Sequence, residues 1–114
     1  MSATEDISSD ARQMMRHALG LSATNKLAYR NRYFLSKKSR GWVIWASLVQ
    51  KGLAIYMPAR EGAFDFFAVT TAGFNAVRLP GETADGEEIA DMRQYDKHPS
   101  VKTDITLIVT EPTA

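Results

Sequence analysis

The stretch Lys26–Arg40 carries six cationic side chains, Lys26, Arg30, Arg32, Lys37, Lys38 and Arg40, interleaved with the rings of Tyr29, Tyr33 and Phe34. Dispersed positive charge is what a phosphate backbone requires, because each neutralised phosphate releases condensed counterions. The run Ser36-Lys37-Lys38-Ser39-Arg40 stands directly before an apolar segment with helical spacing. A helix start adds unpaired backbone N–H groups and the positive end of a dipole. Lys37, Lys38 and Arg40 are therefore the leading phosphate contacts, with Arg30 and Arg32 behind them. Gln50 and Lys51 close the polar edge of the same helix. Arg60 sits in a short loop from which it could reach a minor groove or a backbone. The competing reading is a solvated loop whose rings pack inward and whose charges serve solubility.

Other chemistry has little to stand on. His17 and His98 lie on unrelated segments, the chain has no cysteine, and no ligand spacing suited to zinc is present. No nucleophile-elbow pattern supports a serine nucleophile. Gly20, Gly41, Gly52, Gly62, Gly73, Gly81 and Gly86 are isolated, so no glycine-rich phosphate loop follows a strand. The carboxylates Asp85, Glu87, Glu88 and Asp91 fall in a polar stretch that suggests solvation; a nucleic-acid mimic is the sharper alternative. The expectation is a protein that is not an enzyme and uses no cofactor or metal. Trp42 and Trp45, three apart on one helix, read as core, and an exposed one would anchor a homodimer or protein contact.

Charge distribution sharpens the picture. The net charge of the 114 residues is +1, yet residues 11–60 hold ten bases and not one Asp or Glu. Residues 1–10 hold three acids and no base; residues 61–114 hold ten acids and four bases. With 13 acids in the chain, about six would fall in any fifty residues. Such asymmetry predicts a polyanion-binding face, unless the acidic part folds back and neutralises the basic one. No apolar run approaches the ~20 residues of a membrane helix, and the acidic, polar N-terminus does not read as a secretory signal. These features predict one soluble cytoplasmic domain with no membrane partner, burying roughly 65% of its unfolded surface.

The elements that would position these residues follow from local signals. Residues 1–7 read as a disordered lead-in. A first helix is expected from Ser8 to Leu19, capped by Ser8 or Ser9, with Asp10 in its first turn and Gly20 ending it. Arg12 and Arg16 are placed on its solvent side. Residues 22–39 lack a long period, and Tyr29, Tyr33, Phe34 and Leu35 could anchor a short helix. A second helix is expected over Ser39–Lys51, apolar nearly all round, with Arg40, Ser47, Gln50 and Lys51 as its wet edge. Residues 53–57 and 64–70 read as a hairpin, followed by a helix over 72–79 capped by Thr70 or Thr71. Residues 81–100 read as an acidic loop with at most one helical turn at 87–92, and residues 101–110 as a last strand packed on the domain.

Helix, basic segment, helix, strand, loop, strand, helix is the order of a winged helix-turn-helix domain. The fold class expected is α/β in the α+β sense: about three helices over residues 8–80, a two- to three-stranded antiparallel sheet, and an extra C-terminal strand. Phe66–Val77 is similar to the strand-to-helix junction after the second wing strand in MarR-like proteins. Arg16–Leu21, Tyr29-Arg30-Asn31, Leu48–Leu53 and Phe67–Gly73 resemble a family of small, uncharacterised phage and prophage winged-helix proteins. That resemblance covers residues 10–79 and implies a bacterial host cytoplasm. The function expected of the chain, from its basic segment 26–40 and the wing, is binding of nucleic acid, DNA in preference to RNA, as in a transcriptional regulator. A protein-docking inhibitor of a host complex, such as an anti-CRISPR protein, is the alternative, because residues 39–51 offer few side chains that read bases.

Overall fold

The structure is a computed structural model and describes residues 7–58 and 64–98. The elements run α1 (Ser9–Leu19), β1 (Leu27–Ala28), β2 (Tyr33–Leu35), α2 (Arg40–Gln50), β3 (Ala54–Met57), β4 (Asp65–Val69), α3 (Thr71–Val77), β5 (Thr83–Ala84) and α4 (Gly86–Tyr95). Among the described residues the fold is mixed α+β: four helices and an antiparallel sheet in the order β2-β4-β3, with β1 and β5 forming a separate parallel pair.

Local chemistry sets the helix ends. Ser8 Oγ accepts from the Ala11 N–H at 3.1 Å, and Asp10 lies in the first turn of α1. Gly20, at φ 80°, turns the chain so that the Leu21 N–H reaches the Arg16 carbonyl at 2.9 Å. Ala11, Met15, Ala18 and Leu19 form the buried stripe of α1. The expected second helix forms as α2, with Ser39 and Lys51 at its caps; Arg40, Val43, Ser47 and Gln50 are exposed along it. Thr70 caps α3 by accepting from the Gly73 N–H at 3.2 Å.

The core is built around aromatic rings. Tyr33 of β2, Phe67 of β4 and Tyr56 of β3 lie side by side across one face of the sheet. Trp45 packs within 5.3 Å of Tyr33 and 5.7 Å of Phe67, centroid to centroid, and Trp42 lies 5.7 Å from Tyr56. Both tryptophans are buried, as their helical spacing predicts. Each such ring pair adds about 0.5–1.5 kcal/mol beyond its buried area. Alternation along β2 and β4 then sends Phe34 and Phe66, which are cross-strand partners, to the opposite face.

Two expectations are corrected. No helix forms over residues 29–35; Tyr33–Leu35 is a strand because β4 offers it a paired edge and a ring on each face. Between β2 and α2 stand only Ser36–Ser39, so these described residues hold no helix between that strand and α2. The described part of the expected acidic loop, residues 81–98, is not a loop: Thr83–Ala84 pairs with Leu27–Ala28, and residues 86–95 form α4. Asp85 caps α4 by accepting from the Glu87 N–H at 3.1 Å, and Glu87 and Glu88 lie in its first turn. Residues 1–6 of the lead-in expected over 1–7, the expected hairpin tip with Arg60, and the strand expected over 101–110 lie outside the described residues. No helix among the described residues is long and apolar enough to cross a membrane.

Candidate nucleic-acid interface

The cations of the acid-free segment divide into two populations. The first is built into the fold. Arg12 Nη1 donates to the Ala76 carbonyl at 3.1 Å, and Arg16 Nη1 donates to the Val77 carbonyl at 3.0 Å. Arg16 also forms a two-pronged ion pair with Glu82, whose side chain is only 3% exposed. The hydrogen bond from Arg16 holds the Glu82 carboxyl below the usual carboxylate range, against the opposing effect of burial; the same bond raises the Arg16 guanidinium. Neither arginine is on the solvent side where the sequence places it. The reason is that α3 ends beside α1, presenting carbonyls at the negative end of its dipole. Arg30 belongs to this population too. Its Nε and Nη2 donate to the His17 carbonyl at 3.2 and 2.7 Å, closing the last turn of α1, and its guanidinium lies 5.4 Å from the Tyr29 ring centroid.

The second population faces outward. Lys26, Arg32, Lys37, Lys38, Arg40 and Lys51 are all exposed. Lys37 and Lys38 sit in the turn between β2 and α2, and Arg40 is the first helical residue. That turn is held by the Ser39 N–H donating to the Ser36 carbonyl at 3.0 Å and the Lys38 N–H donating to Ser36 Oγ at 3.1 Å. Because Leu35 pairs with Asp65, the turn lies at the end of the sheet from which the β3–β4 loop leaves. Lys37, Lys38 and Arg40 make no ion pair with any described acid. The Ser39 side chain does not cap α2, and its buried Oγ has no partner. Gln50 and Lys51 stand at the other end of α2, about 15 Å away at 1.5 Å per residue.

The acidic part does fold back, but onto a limited region. Pairing of β5 with β1 brings α4 beside residues 26–32, and Glu88 and Asp91 line a concavity of about 280 Å³ with Arg30, Arg32, Phe66 and Tyr95. Burial raises the Glu88 carboxyl, with Asp91, Asp85 and Glu87 adding to the effect and Arg32 opposing it. The candidate residues therefore form three groups: Arg30 and Arg32, then Lys37, Lys38 and Arg40, then Gln50 and Lys51.

Two buried polar residues that hold the scaffold of the site carry little local signal. Asp65 is 5% exposed and accepts from Trp42 Nε1 at 2.7 Å; a single acid within the aromatic run Phe64–Phe67 hints at a buried partner. Asn31 uses its carboxamide as a strand residue would use its backbone, donating to the Val69 carbonyl and accepting from the Val69 N–H, each at 2.7 Å. No group of three His, Asp or Glu side chains among the described residues is placed to hold a metal ion. No protein family, curated protein or solved structure compared with this chain matches it.

Proposed function

We propose that this protein binds nucleic acid through phosphate contacts made at the turn before α2, on a winged-helix type of scaffold. The observation that carries this reading is the placement of Lys37, Lys38 and Arg40: exposed, without acidic partners among the described residues, and gathered around a helix start that no described side chain caps. Backbone N–H groups and the dipole favour an anion there. The sheet order β2-β4-β3, with α2 between β2 and the β3–β4 hairpin, supports the winged-helix reading of the scaffold. Sequence-specific reading is not part of the proposal, because Trp42 and Trp45 turn inward and α2 exposes only Arg40, Val43, Ser47 and Gln50. Phosphate contacts position a protein without carrying sequence information.

A second reading, docking on a protein complex, draws on a different observation. Val43 is 50% exposed and continues into a concavity lined by Ile7, Ala11, Ile44 and Leu48. Binding of labelled random-sequence DNA at low salt, wild type beside the double variant K37E/K38E, separates the two. The nucleic-acid reading requires binding by the wild type and its loss in the variant. Wild type that leaves DNA free at low salt hands the case to protein docking.

A further inference from the structure

The edge of β2 holds a concavity that the phosphate contacts at the turn do not use. It measures about 350 Å³ and is lined by His17, Arg30, Arg32, Tyr33 and Phe34, with no carboxylate among them. Its parts are unequal in freedom. Arg30 is held by two donations to the His17 carbonyl, the His17 ring stands edge-on to Tyr33 at 5.9 Å, and Phe34 is fixed edge-on against Phe66 at 5.5 Å. Arg32 is tied to α1 by its backbone N–H, which donates to the Ala18 carbonyl at 3.3 Å, while its exposed guanidinium has no hydrogen bond or ion pair with a described residue. Phe34 is nonetheless 55% exposed, an unusual position for a ring fixed by the fold.

Two guanidinium groups beside an exposed aromatic face match one chemical unit well: an aromatic base joined to a phosphate. We infer that this concavity takes an unpaired nucleotide of a single strand, with its phosphate between Arg30 and Arg32 and its base against Phe34. Stacking on protein rings beside a cationic groove is how single strands are held without regard to sequence. A base paired in a duplex has no face free to stack in this way. Charge also gives the strand a direction. On the α4 side, Glu88 and Asp91 repel phosphate. On the other side, β2 leads from Arg32 toward the turn that carries Lys37 and Lys38. The inference rests on the nucleic-acid reading above and specifies its ligand as single-stranded.

The test uses the full chain and fluorescence anisotropy at low salt, with a labelled oligo-thymidine strand of about fifteen nucleotides, a labelled duplex of the same length, and free thymidine monophosphate. The wild type should bind the single strand more tightly than the duplex. F34A should weaken single-strand binding about tenfold and leave duplex binding unchanged, and F34W should restore it. R32A should weaken single-strand binding as well. Phe34 and Arg32 are exposed, and circular dichroism of each variant verifies its fold. If K37E/K38E abolishes binding while F34A and R32A bind the strand as the wild type does, the inference fails and the nucleic-acid reading survives. If the wild type binds neither strand nor duplex, both fail. Binding of the free monophosphate without binding of the strand also overturns it, in favour of a small-nucleotide site.

Discussion

The Arg16 guanidinium and the Glu82 carboxylate meet across 66 residues of sequence, with Nη2 and Oε2 2.6 Å apart. The pair joins the acid-free half of the chain to the acidic half. Glu82 Oε1 also accepts from the Leu79 N–H at 2.7 Å, so the same carboxylate shapes the turn after α3. Charge asymmetry in this protein is thus partly an architectural device. One acid is drawn into the fold by one base, α4 lies over residues 26–32, and the cations before α2 are left facing outward.

Acid stability should report this pair. Because Glu82 is held below the ordinary carboxylate range, its contribution is complete above about pH 4.3 and is lost as pH falls through its depressed folded value. Urea denaturation from pH 7 to pH 3 should show a falling acid limb in the wild type and a shallower one in E82Q. At pH 7, R16M should cost about 3 kcal/mol, because it leaves a buried carboxylate without its partner. Glu88 behaves in the opposite sense. Its raised carboxyl favours the fold below the ordinary range and loses that contribution as pH rises, so E88Q should stabilise the protein at pH 7.

Asp65 predicts a second pH effect, on the basic side. Burial first, and then the neighbouring Asp65 carboxylate, push the Tyr56 hydroxyl up to about 12. The resulting stability is present below the ordinary tyrosine value of about 10 and is lost as pH rises through the folded one. Ultraviolet titration should show this late-ionising tyrosine, and D65N should lower its pKa only in part, since burial remains. W42F removes the Nε1 donor to Asp65 and should cost about 1.5–3 kcal/mol in denaturant unfolding.

Two glycine substitutions should act with opposite signs. A Cβ on Gly73 would stand 2.1 Å from the Leu53 carbonyl oxygen, a backbone atom that cannot swing aside. G73A should therefore destabilise by about 3 kcal/mol, the upper range for overpacking. Gly86, in the first turn of α4, has nothing within 4 Å of such a Cβ. G86A should stabilise by about 0.4–1 kcal/mol by restricting the unfolded chain. Thermal melts of the two variants give the comparison.

What the sequence reveals follows the range of the forces involved. The ends of α1, the cap of α3 and the span of α2 are legible because caps and helical stripes are decided within a few residues. The strand Tyr33–Leu35 is not, since three residues are too short to show alternation and their partner, β4, lies about thirty residues on. Helix α4 hides behind its acids, although Asp85 and Glu88 stand three apart as in a capping box and Ile89 and Met92 share a face. Arg12, Arg16 and Arg30 look free because nothing nearby says that helix ends will approach them. Of the candidate site, the exposure of Lys37, Lys38 and Arg40 is legible from the turn they occupy, whereas the hollow between His17 and Phe34 exists only once α1 and β2 are brought together.

The central claim is that the cations before α2 bind phosphate, and the salt dependence of binding tests it most directly. Each phosphate neutralised contributes about −0.9 to the slope of log affinity against log salt on duplex DNA. Contacts from Lys37, Lys38 and Arg40 predict a slope of about −3 for the wild type and one near −1 for K37A/K38A. A flat wild-type plot, or a double variant whose slope matches the wild type, would contradict the account.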